Sequence, residues 1–173
     1  MNLFSHTRQW LALIAAGCVA MLAFGILYLQ EVVGLEPCPM CIVQRYALIL
    51  VALVAGVSAF LPRGFWQTGG LVKMGVIAGF GAFVAARQSL LQWNPPEIMS
   101  CGRDFYGMIE AFPLKRAIPM IFKGSGDCSA IDWTFLGLTI ANWSFLVFSG
   151  IVVAAVLLLA KRAPREDEAV SAA

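Results

Sequence analysis

Cysteine is the residue type in this chain best suited to redox or nucleophilic chemistry, and its five copies are unevenly placed. Cys38 and Cys41 form a C-x-x-C, Cys101 and Cys128 lie far downstream, and Cys18 sits inside a long apolar run. A two-residue gap restricts little unfolded-chain entropy, so a static staple between Cys38 and Cys41 gains little. Tight C-x-x-C pairs suit redox work instead, because their thiol pKa values are readily depressed. Cys101 and Cys128, with twenty-six residues between them, fit a structural crosslink well. Together these four cysteines allow three pairings, and an oxidising compartment favours disulfides over thiols. Zinc is a weaker use: the single histidine, His6, is near the N-terminus, so four thiolates would have to serve alone. No metal is expected. The single histidine also removes histidine-based triads, and no carboxylate pair or glycine-rich phosphate loop stands out.

Elements that could position these sulfurs are written in the composition. Of 173 residues, 60% are hydrophobic and 13% charged, against about 45–50% and about 25% in a soluble domain. Leu11–Gln30 runs for twenty residues without a charge and Trp133–Ala160 for twenty-eight. A disordered chain is excluded, and an integral membrane protein is indicated. The net charge of +2 is too small and scattered for a nucleic-acid partner. A hydrocarbon core of about 30 Å needs roughly 20 apolar helical residues. Four segments qualify: about Trp10–Leu29, Ile42–Leu61, Met74–Trp93 and Trp143–Ala160. The expected fold is an all-α membrane protein, one four-helix transmembrane bundle with two connecting loops, 30–41 and 94–142, on one side.

Basic residues set the orientation. Arg8, Arg63, Lys73, Lys161, Arg162 and Arg165 collect on one side, whereas the first loop holds Glu31 and Glu36 and no basic residue. Both termini are therefore expected in the cytoplasm and both loops outside. Trp10, Phe65 and Trp66 would mark the inner interface, and Tyr28, Tyr46, Trp93 and Trp143 the outer one. Arg8 followed by Ala15-Ala16-Gly17-Cys18 resembles a lipoprotein cleavage site. The apolar run continues well past Cys18, however, so a retained first span is expected.

Small residues at helical spacing support a packed bundle: Gly75 and Gly79, then Gly81, Ala82 and Ala86, and Ala52 with Gly56. In the long loop, Phe105, Met108, Ile109 and Phe112 recur at helical spacing before Pro113. That pattern predicts a short helix lying on the membrane surface. Gly124-Ser125-Gly126-Asp127 reads as a turn presenting Cys128.

With these spans in place, Cys41 falls at the first turn of a helix, where unpaired N–H groups favour a thiolate. Arg45, four residues on, shares its face. An arginine inside a span is a functional candidate by default. Its plain alternative is snorkelling to the surface. Gln44 is one turn from Cys41 and could hydrogen-bond there or to another helix. Arg87 and Gln88 are read as snorkelling and packing residues, and Cys18 as a buried, inert one.

The run Gly34-Leu35-Glu36-Pro37-Cys38-Pro39-Met40-Cys41-Ile42-Val43-Gln44-Arg45 resembles the signature of the bacterial DsbB family of disulfide bond formation proteins. Gly124-Ser125-Gly126-Asp127-Cys128 and Trp133-Thr134-Phe135-Leu136-Gly137-Leu138 resemble the same family. The resemblance covers nearly the whole chain. It implies a multi-pass protein of the bacterial inner membrane that reoxidises DsbA, a periplasmic thiol oxidase, and passes the electrons to a membrane quinone. That quinone would be ubiquinone, or menaquinone anaerobically. It further implies that DsbA attacks Cys101, that Cys128 leaves and attacks Cys38, and that Cys41 is freed as a thiolate beside Arg45. Arg45, Cys41 and Gln44 would then face the quinone. Some members carry a histidine in the outer part of the third span, where this chain reads Arg87-Gln88-Ser89. Two other readings remain open: a four-span scaffold of tetraspanin type, and a quinone reductase of the vitamin K epoxide reductase type. The second usually places its C-x-x-C late in the chain, whereas here it precedes the second span.

Overall fold

The computed structural model describes residues 7–35, 37–62, 64–94, 129, 131 and 133–161. Within them the chain forms α1 (Thr7–Ala23), a π-helical continuation (Phe24–Gln30), α2 (Pro39–Phe60), α3 (Phe65–Trp93), a hairpin of β1 (Thr134–Phe135) and β2 (Leu138–Thr139), and α4 (Ile140–Ala160). Four helical segments are long and apolar enough to cross a membrane: Thr7–Gln30, Pro39–Phe60, Phe65–Trp93 and Ile140–Ala160. The expected four-helix membrane architecture is therefore present. The third helix departs from its expected start at Met74. It begins at Phe65, because Gln67 turns inward and donates to the Ser58 carbonyl at 3.1 Å instead of ending the apolar run.

Neighbouring helices in the chain pack on one another, α1 on α2, α2 on α3, and α3 most extensively on α4. Their shared core includes Leu11, Cys18, Val51, Ala55, Leu71, Met74, Ala78, Phe148 and Ala155. Large apolar side chains also point outward on every helix, among them Leu13, Leu53, Phe60, Phe83 and Val156. Water would penalise such a surface, whereas lipid tails solvate it. With lipid outside, close approach rather than burial holds the helices together. A Cβ on Gly81 would collide with the ring of Phe148, so this glycine is what lets α4 seat against α3. On the same α3–α4 contact a Cβ on Gly75 would lie 3.4 Å from the Ala155 Cβ, whereas nothing lies within 4 Å of Gly79. Only half of the expected G-x-x-x-G pair is thus at the contact.

Helix ends inside a membrane must find protein partners for their unpaired backbone groups. At the C-terminus of α2, the Ala59 carbonyl accepts from Arg8 Nε at 2.7 Å, and Gln67 serves Ser58. The cation also complements the negative end of the helix dipole. Arg8, expected from sequence only to mark sidedness, is therefore also a helix cap. At the opposite end of the bundle, Thr139 caps α4 by accepting from the Asn142 amide and donates its hydroxyl to Gln92 Oε1 at 2.7 Å. That pair ties the start of α4 to the end of α3. The hairpin before it turns through Leu136 and Gly137, both at positive φ (53° and 76°). Such a two-residue turn matches strand twist, and glycine adopts it without strain.

The contrast between the two glycines is testable. Gly81→Val should weaken resistance to unfolding in mixed micelles by about 1–3 kcal/mol, the usual penalty of overpacking. Gly79→Val should stay within about 0.5 kcal/mol of the parent. Both carry the same change in helix propensity, so equal effects would contradict the packing described.

Candidate active site

The first turn of α2 is built from the C-x-x-C itself. Pro39 fills the first helical position, where its fixed φ suits the helix and its missing N–H costs nothing. That leaves Cys38 as the N-cap, with extended backbone (φ −65°, ψ 159°). Caps are usually hydroxyl or carboxyl side chains. Here a sulfur does the work: Cys38 Sγ accepts from the Cys41 amide at 3.2 Å. Both sulfurs thus sit at the positive end of a helix, which favours negative charge on either one. Cys38 is 7% exposed and Cys41 half-buried. The expectation that Cys41 lies at a first turn holds. In addition, Cys38 receives the amide hydrogen bond that the dipole argument alone assigned only to Cys41.

A second contact to the sulfurs comes from α3. Gln88 Nε2 donates to Cys38 Sγ at 3.4 Å and to Cys41 Sγ at 3.3 Å. Its carbonyl oxygen accepts from Gln44 Nε2 at 2.7 Å. Gln44 and Gln88 are both 4% exposed. An unpaired amide at such a depth would be costly, and among the described residues no buried side-chain nitrogen or oxygen lacks a partner. Gln88, read from sequence as packing, therefore belongs to the site. Its clue was the spacing: an uncharged polar residue in a span needs a partner, and the polar candidates at this depth are few. Gln44 takes the interhelical bond that was one of its two expected uses.

Arg45 projects toward α1. Its Nη1 donates to Gln30 Oε1 at 2.8 Å and its Nη2 to the Gly25 carbonyl at 3.2 Å. Gly25 belongs to the π-helical segment, whose wider turns shift the backbone pairing: the Glu31 amide bonds the Ile26 carbonyl and the Val33 amide the Tyr28 carbonyl. π-helical turns are rare and recur at functional sites. A guanidinium has five N–H donors, and these two bonds use two of them.

Between these groups lies a cavity of about 660 Å³. Cys38, Cys41, Gln44, Arg45 and Gln88 supply much of its polar lining, with Gln92 and Ser144. Aromatic rings also line it, from Phe24 and Tyr28 of the π-helical segment to Trp133, Phe135 and Trp143. Trp133 and Phe135 lie parallel at 6.0 Å, Phe24 stacks on Tyr28 at 5.2 Å, and Trp143 Nε1 donates to the Phe135 carbonyl. The hairpin and its flanks thus carry these rings to the cavity. Cavities of about 300–1,000 Å³ with mainly apolar walls and a few converging polar groups are typical of small-molecule sites. Cys18 lies elsewhere, 2% exposed in the helical core, as expected. Cys101, Cys128, the surface helix expected between them and the turn before Cys128 fall outside the described residues.

Exposure orders the sulfurs' reactivity. In fully reduced protein, maleimide should modify Cys41 first, Cys38 more slowly and Cys18 last, as followed by peptide mass spectrometry. Modification of Cys18 at the rate of Cys41 would contradict the burial described.

Comparison with known proteins bears on this site. The family model for disulfide bond formation protein DsbB matches residues 7–158. Disulfide bond formation protein B of Polaromonas naphthalenivorans (strain CJ2) is 66% identical over 163 residues, covering 94% of this chain and 97% of the relative. The protein of that name from Paracidovorax citrulli (strain AAC00-1) is 68% identical over 160 residues, covering 91% and 89%. That from Azoarcus sp. (strain BH72) is 54% identical over 163 residues, covering 92% and 96%. No solved structure matches the chain.

Proposed function

This chain belongs to the DsbB family of disulfide bond formation proteins, and from that premise we propose that it passes electrons from a DsbA-like periplasmic thiol oxidase to a membrane quinone. Its part in disulfide bond formation and its multi-pass membrane architecture follow from the family and the four spans. One observation carries the choice of acceptor. The polar lining of the cavity includes both C-x-x-C cysteines, while most of the remaining lining is apolar and aromatic. A quinone is a flat apolar ring with two polar oxygens, and it is soluble in lipid. Aromatic faces suit its ring, and the Arg45 guanidinium suits an oxygen on which negative charge grows. When bound, a quinone accepts two electrons and two protons and becomes the quinol. Ubiquinone is the proposed acceptor, with menaquinone in its place anaerobically.

On this reading the reduced partner attacks the Cys101–Cys128 disulfide at Cys101, and the Cys128 sulfur leaves as a thiolate. Cys128 then attacks Cys38, breaking the Cys38–Cys41 bond and releasing Cys41 as a thiolate. The N-terminal turn of α2 lowers the cost of that charge. The partner's second thiol displaces Cys101, which recovers Cys128 and frees Cys38. Closure of Cys38–Cys41 gives up two electrons and two protons. Overall, one partner dithiol and one quinone become one partner disulfide and one quinol. The roles of Cys101 and Cys128 rest on the family resemblance. The distribution of basic residues supports cytoplasmic termini and periplasmic loops.

Purified full-length protein mixed with a reduced DsbA-type oxidase and ubiquinone should consume quinone and oxidise the partner in equal amounts. Cys41→Ser should abolish quinone reduction, and Cys101→Ser should block exchange with the partner. Inert disulfides and no turnover in the parent would leave a structural scaffold as the better account. Arg45→Ala should raise the quinone KM about tenfold, the worth of one charge-assisted hydrogen bond. Because Arg45 also holds Gly25 and Gln30, a modest loss of stability should accompany it. Unchanged quinone kinetics would reduce Arg45 to a brace for the π-helical segment.

A further inference from the structure

We infer that Gln88 is a positioning residue for the Cys38–Cys41 pair, a neutral amide that holds both sulfurs at once and stabilises the thiolate on whichever of them carries it. The inference deepens the proposed redox role of the pair and rests on it for biological meaning. Its physical content is independent of which oxidant the pair meets.

A side-chain amide has two N–H donors, and in Gln88 one nitrogen faces two sulfurs at 3.4 and 3.3 Å. Sulfur is large, so these are ordinary lengths for such a contact. The two near-equal distances place the amide between the sulfurs, as a donor common to both. What fixes the amide in that sense is Gln44. By donating to Gln88 Oε1 at 2.7 Å, it occupies the carbonyl and leaves the NH₂ group turned toward the cysteines. The chain of donors therefore runs one way, from α2 through α3 and back to the first turn of α2. Both amides are buried, so water does not compete for these bonds.

The chemistry explains why an amide suits this place. During exchange, negative charge moves from one sulfur of a C-x-x-C to the other. The Cys41 N–H serves the Cys38 sulfur. Gln88 reaches both, so the Cys41 thiolate keeps a donor after Cys38 has entered another disulfide. An amide does not titrate, so this support is the same at every pH at which the protein folds. It also places no permanent charge in the apolar wall. The charged and titratable groups around the pair are few among the described residues. Arg45 on α2 is engaged by Gln30 and Gly25, Tyr28 stands on the π-helical segment, and Arg87 is adjacent to Gln88 on α3. The hairpin and α4 contribute no charged residue to the cavity wall.

Two measurements on reduced, full-length, detergent-solubilised protein test this without quinone or partner, so their outcome is separate from that of the proposed function. The first is the pH dependence of iodoacetamide reaction at Cys41 and Cys38, read peptide by peptide. Gln88→Met keeps the length of the side chain and removes its donors. It should raise the midpoint for Cys41 by about one pH unit, a tenfold loss of thiolate below the midpoint. Gln44→Leu, which unlocks the amide without removing it, should shift the midpoint in the same direction by less. The second is equilibration of the pair with glutathione. Losing a donor to the thiolate disfavours the reduced form, so Gln88→Met should move the equilibrium toward the disulfide, by up to about tenfold or ~30 mV. A residue that merely packs moves neither quantity. Unchanged midpoints and an unchanged equilibrium in Gln88→Met overturn the inference. If that variant does not fold, Gln44→Leu decides alone: a raised midpoint supports the relay, and an unchanged one overturns it.

Discussion

A helix that begins at the edge of a bilayer must find partners for its first N–H groups, and at the start of α2 one of those partners is sulfur. Pro39 removes one donor from the account and Cys38 accepts another, from Cys41. The same four residues that start the helix are therefore the C-x-x-C. Helix geometry then dictates what surrounds it. Gln44, on the second turn, reaches Gln88 on α3, and Arg45 projects to the π-helical end of α1. Each of these bonds satisfies a polar group that lipid would leave stranded. Together they brace three helices around one pair of sulfurs.

The remainder of the bundle makes that bracing durable. Close approach at Gly81 and Gly75 sets α4 against α3, and Arg8 and Gln67 close the far end of α2. Since α4 is fixed at its start by Thr139 to Gln92, the hairpin before it is held over the same end of the molecule as the cysteines. Rings from the hairpin and from the π-helical segment then line the same cavity as the cysteines. The proposed electron transfer needs this combination: a dithiol that can carry charge, and beside it an apolar slot open to a lipid-soluble acceptor.

Much of this was legible in the residues. Long apolar runs, two of them uncharged, announced four spans, and the two-residue gap of C-P-M-C announced a redox pair just before a span, although the helix begins at Pro39 itself, earlier than the expected Ile42. The parts that were not legible depend on contacts between distant segments. Gln67 and Lys73 interrupt hydropathy near the start of α3, yet Gln67 is buried because α2 offers it a carbonyl. Arg45 sits four residues after Cys41, which suggested a shared face, but an arginine is long enough to choose another helix. It took the carbonyl that a π-helical turn left available. No sequence pattern marked that turn. Gln88 read as filler because its partners are fifty and forty-four positions away in the chain. The hairpin was hidden within an apolar run, since one glycine, Gly137, is a thin signal for a turn whose other residue is Leu136.

The central claim is that the cavity beside Cys41 receives the quinone, and photolabelling addresses it most directly. An azido-ubiquinone irradiated with the full-length protein should attach to residues of the aromatic and sulfur-bearing walls, such as Tyr28, Trp133 or Trp143, and excess ubiquinone should suppress the labelling. Labelling confined to the outward faces of the helices, or undiminished by ubiquinone, would contradict the account.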